Sequence, residues 1–415
     1  MMIQKTIAIL LSLIIPFGGM LMITSCEEKN ENITLSLVTT PMSENDYISK
    51  IPYVVENCDS CFFTPTTQLS PALAKTAIVL SSSAYDRQIT KENLKSLGFT
   101  NIRSFNYDID YDENAVGITF GVKYIKNTPV IAIVMRGTLA KEWHSNFDIG
   151  EDAKDTLVHK GFYTASEISM ELLNEYKTEE NIDNADCRYF VTGHSRGGAV
   201  ANLLAKELID SSSPDFVYAY TFASPNTTLD ENVHNSEYSG IYNFVNCEDF
   251  IAFVPLESWG FQKYGTTKYL LTSSDDENYS EKLELVKEKY EAYRKRELRT
   301  YNGTEKLQKF LNSAHKLAPT VDDYYNKKYE ILGDEMSVYE FMDTIAQLIN
   351  NENILNNALM ILNCDGTAFE DIKNFMMLGM DSDTALIPDY DNSLISYTHS
   401  AESYLCYLEV FLSDI

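Results

Sequence analysis

The chain has 415 residues, 61 of them acidic and 33 basic, for a formal net charge of −28 near neutral pH. So acidic a surface, with no basic stripe to offset it, repels nucleic acid and disfavours docking on anionic membranes; contact with lipid has to be apolar or run through a tether. The length exceeds one typical domain and suits a single α/β domain carrying an insertion.

The chain opens on Lys5, an apolar run over 6–22, and Ile23-Thr24-Ser25-Cys26. A charged start, a greasy core and small residues before a cleavage point make a secretory signal over residues 1–25. Cys26 resembles the lipid-modified cysteine of a bacterial lipobox. The competing reading is an uncleaved membrane anchor, because the apolar run is close to spanning length. Either way the remainder is expected outside the cytoplasm and membrane-tethered. Signal removal takes away only Lys5, so the mature charge becomes −29. Residues 26–65 are expected to be a polar tether, their 27–50 part rich in Glu, Asn, Ser and Thr with little periodicity. Cys58-Asp59-Ser60-Cys61 suits a small disulfide, and with no second Cys-x-x-Cys a zinc site is not expected. Cys187, Cys247, Cys364 and Cys406 lie in or beside apolar segments and read as small buried hydrophobes.

A catalytic domain is expected over residues 66–415. Ser70-Pro71 starts a helix over 72–84, and a second short helix over 91–97 stops at Gly98. Extended segments at 102–111 and 116–125 form a hairpin. Asp108, Asp110 and Asp112 resemble a calcium loop only superficially, since Glu113 and Thr119 stand where its glycine and closing glutamate belong. Thr128 to Met135 is almost continuously apolar, as in a strand buried on both faces of a mostly parallel sheet. A helix over 162–176 follows, then strands at 216–222, 241–245 and 268–272, in the alternation of an α/β fold. Residues 277–391 read as an inserted helical block, with apolar faces such as Leu307, Phe310, Leu311, Ala314 and Leu317. The chain returns at 393–398, reaches His399 and ends in an apolar helix over 401–412.

Between the helix at 162–176 and the strand at 216–222, a β-forming run enters Gly193-His194-Ser195-Arg196-Gly197-Gly198 and a helix-forming run leaves it. This is a strand, a Gly-x-Ser-x-Gly turn and a helix, the context of a nucleophile elbow. A Cβ at Gly193 or Gly197 would collide with its neighbours, while Ser195 projects above the sheet. A serine hydroxyl needs a base to take its proton and an acid to orient that base. His399, in a loop before the last helix, suits the base better than His315, which lies inside a helical run. Asp249, after a strand, suits the acid, with Glu248 as the fallback. The amide of Arg196 and Thr138, through its amide or its hydroxyl, are the candidate donors to an oxyanion. The Arg196 side chain has two open readings, solvated or touching an anionic substrate group.

These residues, with Glu142-Trp143, Val158-His159-Lys160-Gly161-Phe162, Phe222-Ala223-Ser224-Pro225, Asn246-Cys247-Glu248-Asp249 and His399-Ser400 followed by Tyr404, resemble the class 3 lipases. The resemblance covers roughly 70–275 and the last 25 or so residues. It implies an α/β-hydrolase fold, ester hydrolysis through a serine acyl-enzyme, an acyl-ester or lipid substrate, and no cofactor or metal. Two departures stand out: Arg196 occupies a position where fungal members usually have leucine, and 150 residues separate Asp249 from His399. The alternatives are a non-catalytic surface lipoprotein that binds a ligand or partner on the same scaffold, and hydrolysis of phospholipid or thioester bonds.

Overall fold

The computed structural model describes residues 31–39, 49–108, 112, 114–138, 142–182, 187–272, 278–331, 334–350 and 394–413. The expected signal segment, Cys26, Asp110, Glu113, Cys364 and the end of the inserted block over 351–391 lie outside them. No helix among the described residues is long and apolar enough to cross a membrane.

The run Thr128–Met135 (β5) is buried almost throughout and forms the third strand of a seven-stranded sheet. Thr100–Phe105 (β3) and Ile118–Ile125 (β4) precede it antiparallel, while Arg188–His194 (β6), Val217–Phe222 (β7), Ile241–Asn246 (β8) and Thr266–Leu270 (β9) follow it parallel. Strand order equals chain order, so each parallel step needs a crossover, and the helices it brings cover both faces. Alternation along β5 divides the core. Val130, Ala132 and Val134 face one layer and Ile131, Ile133 and Met135 the other.

The first layer holds α1 (Pro71–Ser83), started by Ser70 Oγ accepting from Leu73 N–H at 3.3 Å, and the terminal helix α12 (Ala401–Leu412). The second holds α5 (Lys160–Glu179) and α6 (Arg196–Ser211). Between them in sequence, α2 (Arg87–Ser96) follows α1, and the short helices α3 (Trp143–Phe147) and α4 (Ala153–Thr156) follow β5.

Two expectations are corrected here. The stretch over 26–65 is not simply a tether: Glu31–Val38 (β1) and Lys50–Asn57 (β2) pair antiparallel and bury Leu35, Leu37, Tyr53 and Val55 in the main core. Leu35 and Leu37, like Tyr53 and Val55, recur with the period of two that marks a one-sided strand, a signal hidden by the polar residues between them. Cys58 and Cys61 close a disulfide just after β2. The inserted block is also not wholly helical. It contains α7 (Tyr279–Arg294), α8 (Glu305–Leu317), α9 (Val321–Asn326), a hairpin of Tyr329–Ile331 (β10) with Asp334–Met336 (β11), and α10 (Val338–Asn350).

Nor is the block a detached cap. Leu283, Val286 and Tyr290 of α7 belong to the same core as Tyr404, Leu405 and Leu408 of α12. At the edge of that contact Arg294 pairs with Glu402 at 3.0 Å, both nearly inaccessible, and Lys289 with Glu409 at 2.9 Å. The later helices reach the other side of the molecule. Val321, Tyr324 and Tyr325 pack with Ile149, Ala153 and Phe261, and His144 of α3 meets Asp343 of α10. The short helix α11 (Ile395–Thr398) then leads into His399.

Candidate active site

Ser195 follows β6 and caps α6 at φ 58° and ψ −129°, a backbone setting that non-glycine residues rarely adopt. The turn closes because of its glycines: a Cβ on Gly193 would lie 2.2 Å from the Gly197 carbonyl oxygen, and one on Gly197 would lie 2.6 Å from the carbonyls of Met135 and Arg136. The strained serine is held by its own N–H, which donates to Phe222 O at 2.9 Å.

His399 Nε2 lies 2.8 Å from Ser195 Oγ, and His399 Nδ1 lies 2.8 Å from Asp249 Oδ2. A carboxylate only accepts, so Nδ1 carries the proton and Nε2 is left to accept from the serine hydroxyl. Asp249 is fully buried at the exit of β8. Its Oδ2 also accepts from Tyr404 O–H at 2.7 Å, and its Oδ1 from Ile251 N–H at 3.1 Å. Three donors therefore share a carboxylate that would otherwise be costly to bury. The structure thus brings together an alcohol, an imidazole and a carboxylate from positions 195, 399 and 249. His315 sits far from them in its contacts, against Ser258 Oγ at 3.0 Å.

His194 occupies the turn for a reason its sequence position did not reveal. Its Nε2–H donates to the His399 carbonyl at 2.8 Å, so its Nδ1 accepts from Tyr85 O–H at 3.1 Å. Burial, reinforced by neighbouring His399, holds its pKa well below the usual range, so the ring is neutral. Tyr85 also fills the space beside Gly137, where a Cβ would lie 1.8 Å from its hydroxyl.

Thr138 follows β5, and Arg196 stands at the first position of α6, where a helical N–H has no carbonyl within its own helix to bond. Both open readings of the Arg196 side chain are overturned. It is 1% exposed and donates to Asn146 Oδ1 at 2.9 Å, Asn114 O at 3.0 Å and Ser145 Oγ at 3.1 Å. It ties residues 114, 145 and 146 to the start of α6 through amide, carbonyl and hydroxyl oxygens. Asn146 also donates to Thr138 Oγ1 at 2.9 Å, so one amide side chain bridges both candidate oxyanion residues. Arg136 and Glu142, on either side of Thr138 in the chain, form a fully buried pair at 2.5 Å. Asn146 and Tyr85 were missed by sequence reasoning, and no spacing or motif marks either. Beneath the site His159 is buried beside Arg196, its pKa pushed down to about 3, chiefly by burial.

Past Asp249, the buried Lys263 donates to Ala252 O at 2.7 Å and to Asn226 Oδ1 at 2.6 Å. It borders a groove of about 640 Å³ lined also by Glu257, Thr267 and Tyr269 and by none of the three aligned residues.

A sheet of this order with a serine elbow after its parallel strand, an acid after a later strand and a histidine near the end defines an α/β-hydrolase. Residues 132–259 match the family model described as lipase (class 3). Over 155 residues the chain is 24% identical to secreted mono- and diacylglycerol lipase 1 of Fusarium solani, covering 36% of this chain. The chain spans just under half, 46%, of that relative's length. Similar solved structures include the triacylglyceride lipase of Rhizomucor miehei, with 22% identity, 49% of this chain, 80% of that one and a TM-score of 0.34. A mutant form of MDLA from Penicillium cyclopium aligns at 18% identity, 49% of this chain, 79% of that one and a TM-score of 0.35.

Proposed function

We propose that the protein hydrolyses carboxylic esters of lipids through an acyl-enzyme on Ser195. The observation that carries this reading is the pair of 2.8 Å contacts running from Ser195 Oγ through His399 to Asp249. In the reaction Ser195 Oγ attacks the ester carbonyl carbon while His399 Nε2 takes its proton. The carbonyl oxygen becomes an oxyanion, which accepts hydrogen bonds from the Arg196 amide and from Thr138 in this reading. Collapse breaks the bond to the alcohol, which leaves with the proton from Nε2. Water then repeats the sequence and releases the acid. Asp249 keeps the imidazole in the required tautomer and favours its charged form.

The lipid preference is drawn from the class 3 family match and the Fusarium relative's name. Location outside the cytoplasm, tethered through Cys26, is drawn from the sequence, and the Cys58–Cys61 disulfide fits an oxidising compartment. A chain-length series of p-nitrophenyl esters, followed by mono-, di- and triacylglycerols and phospholipid, tests the reading. Release of acid that rises with acyl length is expected, and no turnover of any ester would sink it. Metabolic labelling with palmitate, lost in Cys26→Ala, tests the tether.

A further inference from the structure

Glu248 precedes the aligned carboxylate in the chain and takes no part in the contacts of Ser195 or His399. Its side chain is 3% exposed and points away from the serine, into the inserted block. Oε2 accepts from Tyr301 N–H at 2.6 Å, and Oε1 from Gly303 N–H at 2.7 Å and Tyr279 O–H at 3.4 Å. Tyr279 opens α7, and Tyr301 and Gly303 lie between α7 and α8, all in residues that a lipase sheet alone does not require. Burial of this carboxylate pushes its pKa up despite those bonds, so the residue is costly to keep there. A buried acid gripped by two backbone amides and a phenol is a built contact.

The same residue is joined to the rest of the site from its backbone side. Glu248 N–H donates to Asn246 Oδ1 at 3.2 Å, and Asn246 Nδ2 donates to Thr398 O at 2.9 Å, one residue before His399. Asn246 N–H donates to Tyr404 O–H oxygen at 3.1 Å, and that hydroxyl in turn donates to Asp249. Consecutive Cα atoms are held about 3.8 Å apart, so a displacement of residue 248 is passed to residue 249 with little room to relax.

We infer that Glu248 is a positioning residue through which the inserted block sets the place of the Asp249 carboxylate, and with it the orientation of His399. The inference rests on the ester-hydrolase reading. It explains how a detour of 150 residues between acid and base leaves their geometry intact: the detour is fastened at the residue next to the acid.

The test compares wild type with Glu248→Gln and Glu248→Asp on a short, soluble p-nitrophenyl ester, with rates expressed per site titrated by a fluorophosphonate. Glutamine sets an NH2 against a backbone N–H, and aspartate is one methylene too short to reach both amides. Each variant is expected to lose roughly tenfold in kcat, with KM changed less than twofold, because a misplacement well under 1 Å costs reaction geometry before it costs binding. A proton NMR spectrum reads the same effect without turnover, since the His399 Nδ1–H resonance should shift or broaden in both variants. Unchanged kcat per titrated site together with an unchanged resonance overturns the inference, as does failure of both variants to fold, which makes Glu248 a determinant of folding only. A wild type that turns over no ester sinks the hydrolase reading instead, while the NMR comparison still decides the role of Glu248.

Discussion

Ser195 and His399 reach the same point by opposite means. The serine is placed locally. A strand, two glycines and the start of a helix force its backbone into the left-handed region, with the clash distances at Gly193 and Gly197 keeping the turn tight. The histidine is placed from afar, by a terminal helix wedged between the sheet and α7, a carbonyl bond from His194 and the network at Asn246. Local placement survives changes elsewhere in the fold, whereas long-range placement makes activity depend on contacts far from the chemistry.

Several substitutions separate these two modes. Ser195→Ala removes the nucleophile without touching the fold, so kcat should fall by about six orders of magnitude with an unchanged melting temperature, because triad members act as a unit. Glu402→Ala attacks the long-range side. It breaks the buried Arg294–Glu402 pair, which typically costs about 3–5 kcal/mol and should appear in chemical denaturation with activity lost in parallel.

Lys263, which holds the loop after Asp249, gives a pH test. Burial lowers its pKa to about 8 from the ordinary 10.5 of a lysine. Below pH 8 it is charged in both states and its burial cost is fully present; between 8 and 10.5 the unfolded chain binds the extra proton, so stability rises with pH. Relative to Lys263→Met, wild type should gain on the order of 3 kcal/mol across that window. Parallel stability curves for the two proteins would refute the assignment. Smallest is Tyr404→Phe, which removes one of three donors to Asp249. We expect a fall of roughly tenfold in kcat, from a hydrogen bond to a charged group worth about 1.5 kcal/mol, measured with the same soluble ester.

The same division decides what was legible in the sequence. The elbow, the apolar strand Thr128–Met135 and the helix Ala401–Leu412 announce themselves through spacing and periodicity, which are local properties. Ser195, Asp249 and His399 could be chosen as candidates because each sits at the end of such an element. The packing of α7 on α12 and the enclosure of Arg196 by Asn114, Ser145 and Asn146 could not, since they join residues as far as 120 and 82 positions apart with no shared motif. The β1-β2 hairpin was hidden differently, its buried alternation diluted by polar residues on the exposed face.

The central claim is that the hydroxyl at position 195 is activated by the imidazole at position 399. Peptide mapping after treatment with a fluorophosphonate tests it directly. The account predicts one adduct, on the peptide carrying Ser195, forming at least a hundredfold more slowly in His399→Ala. No adduct, an adduct on another serine, or labelling at the same rate without the imidazole would contradict it.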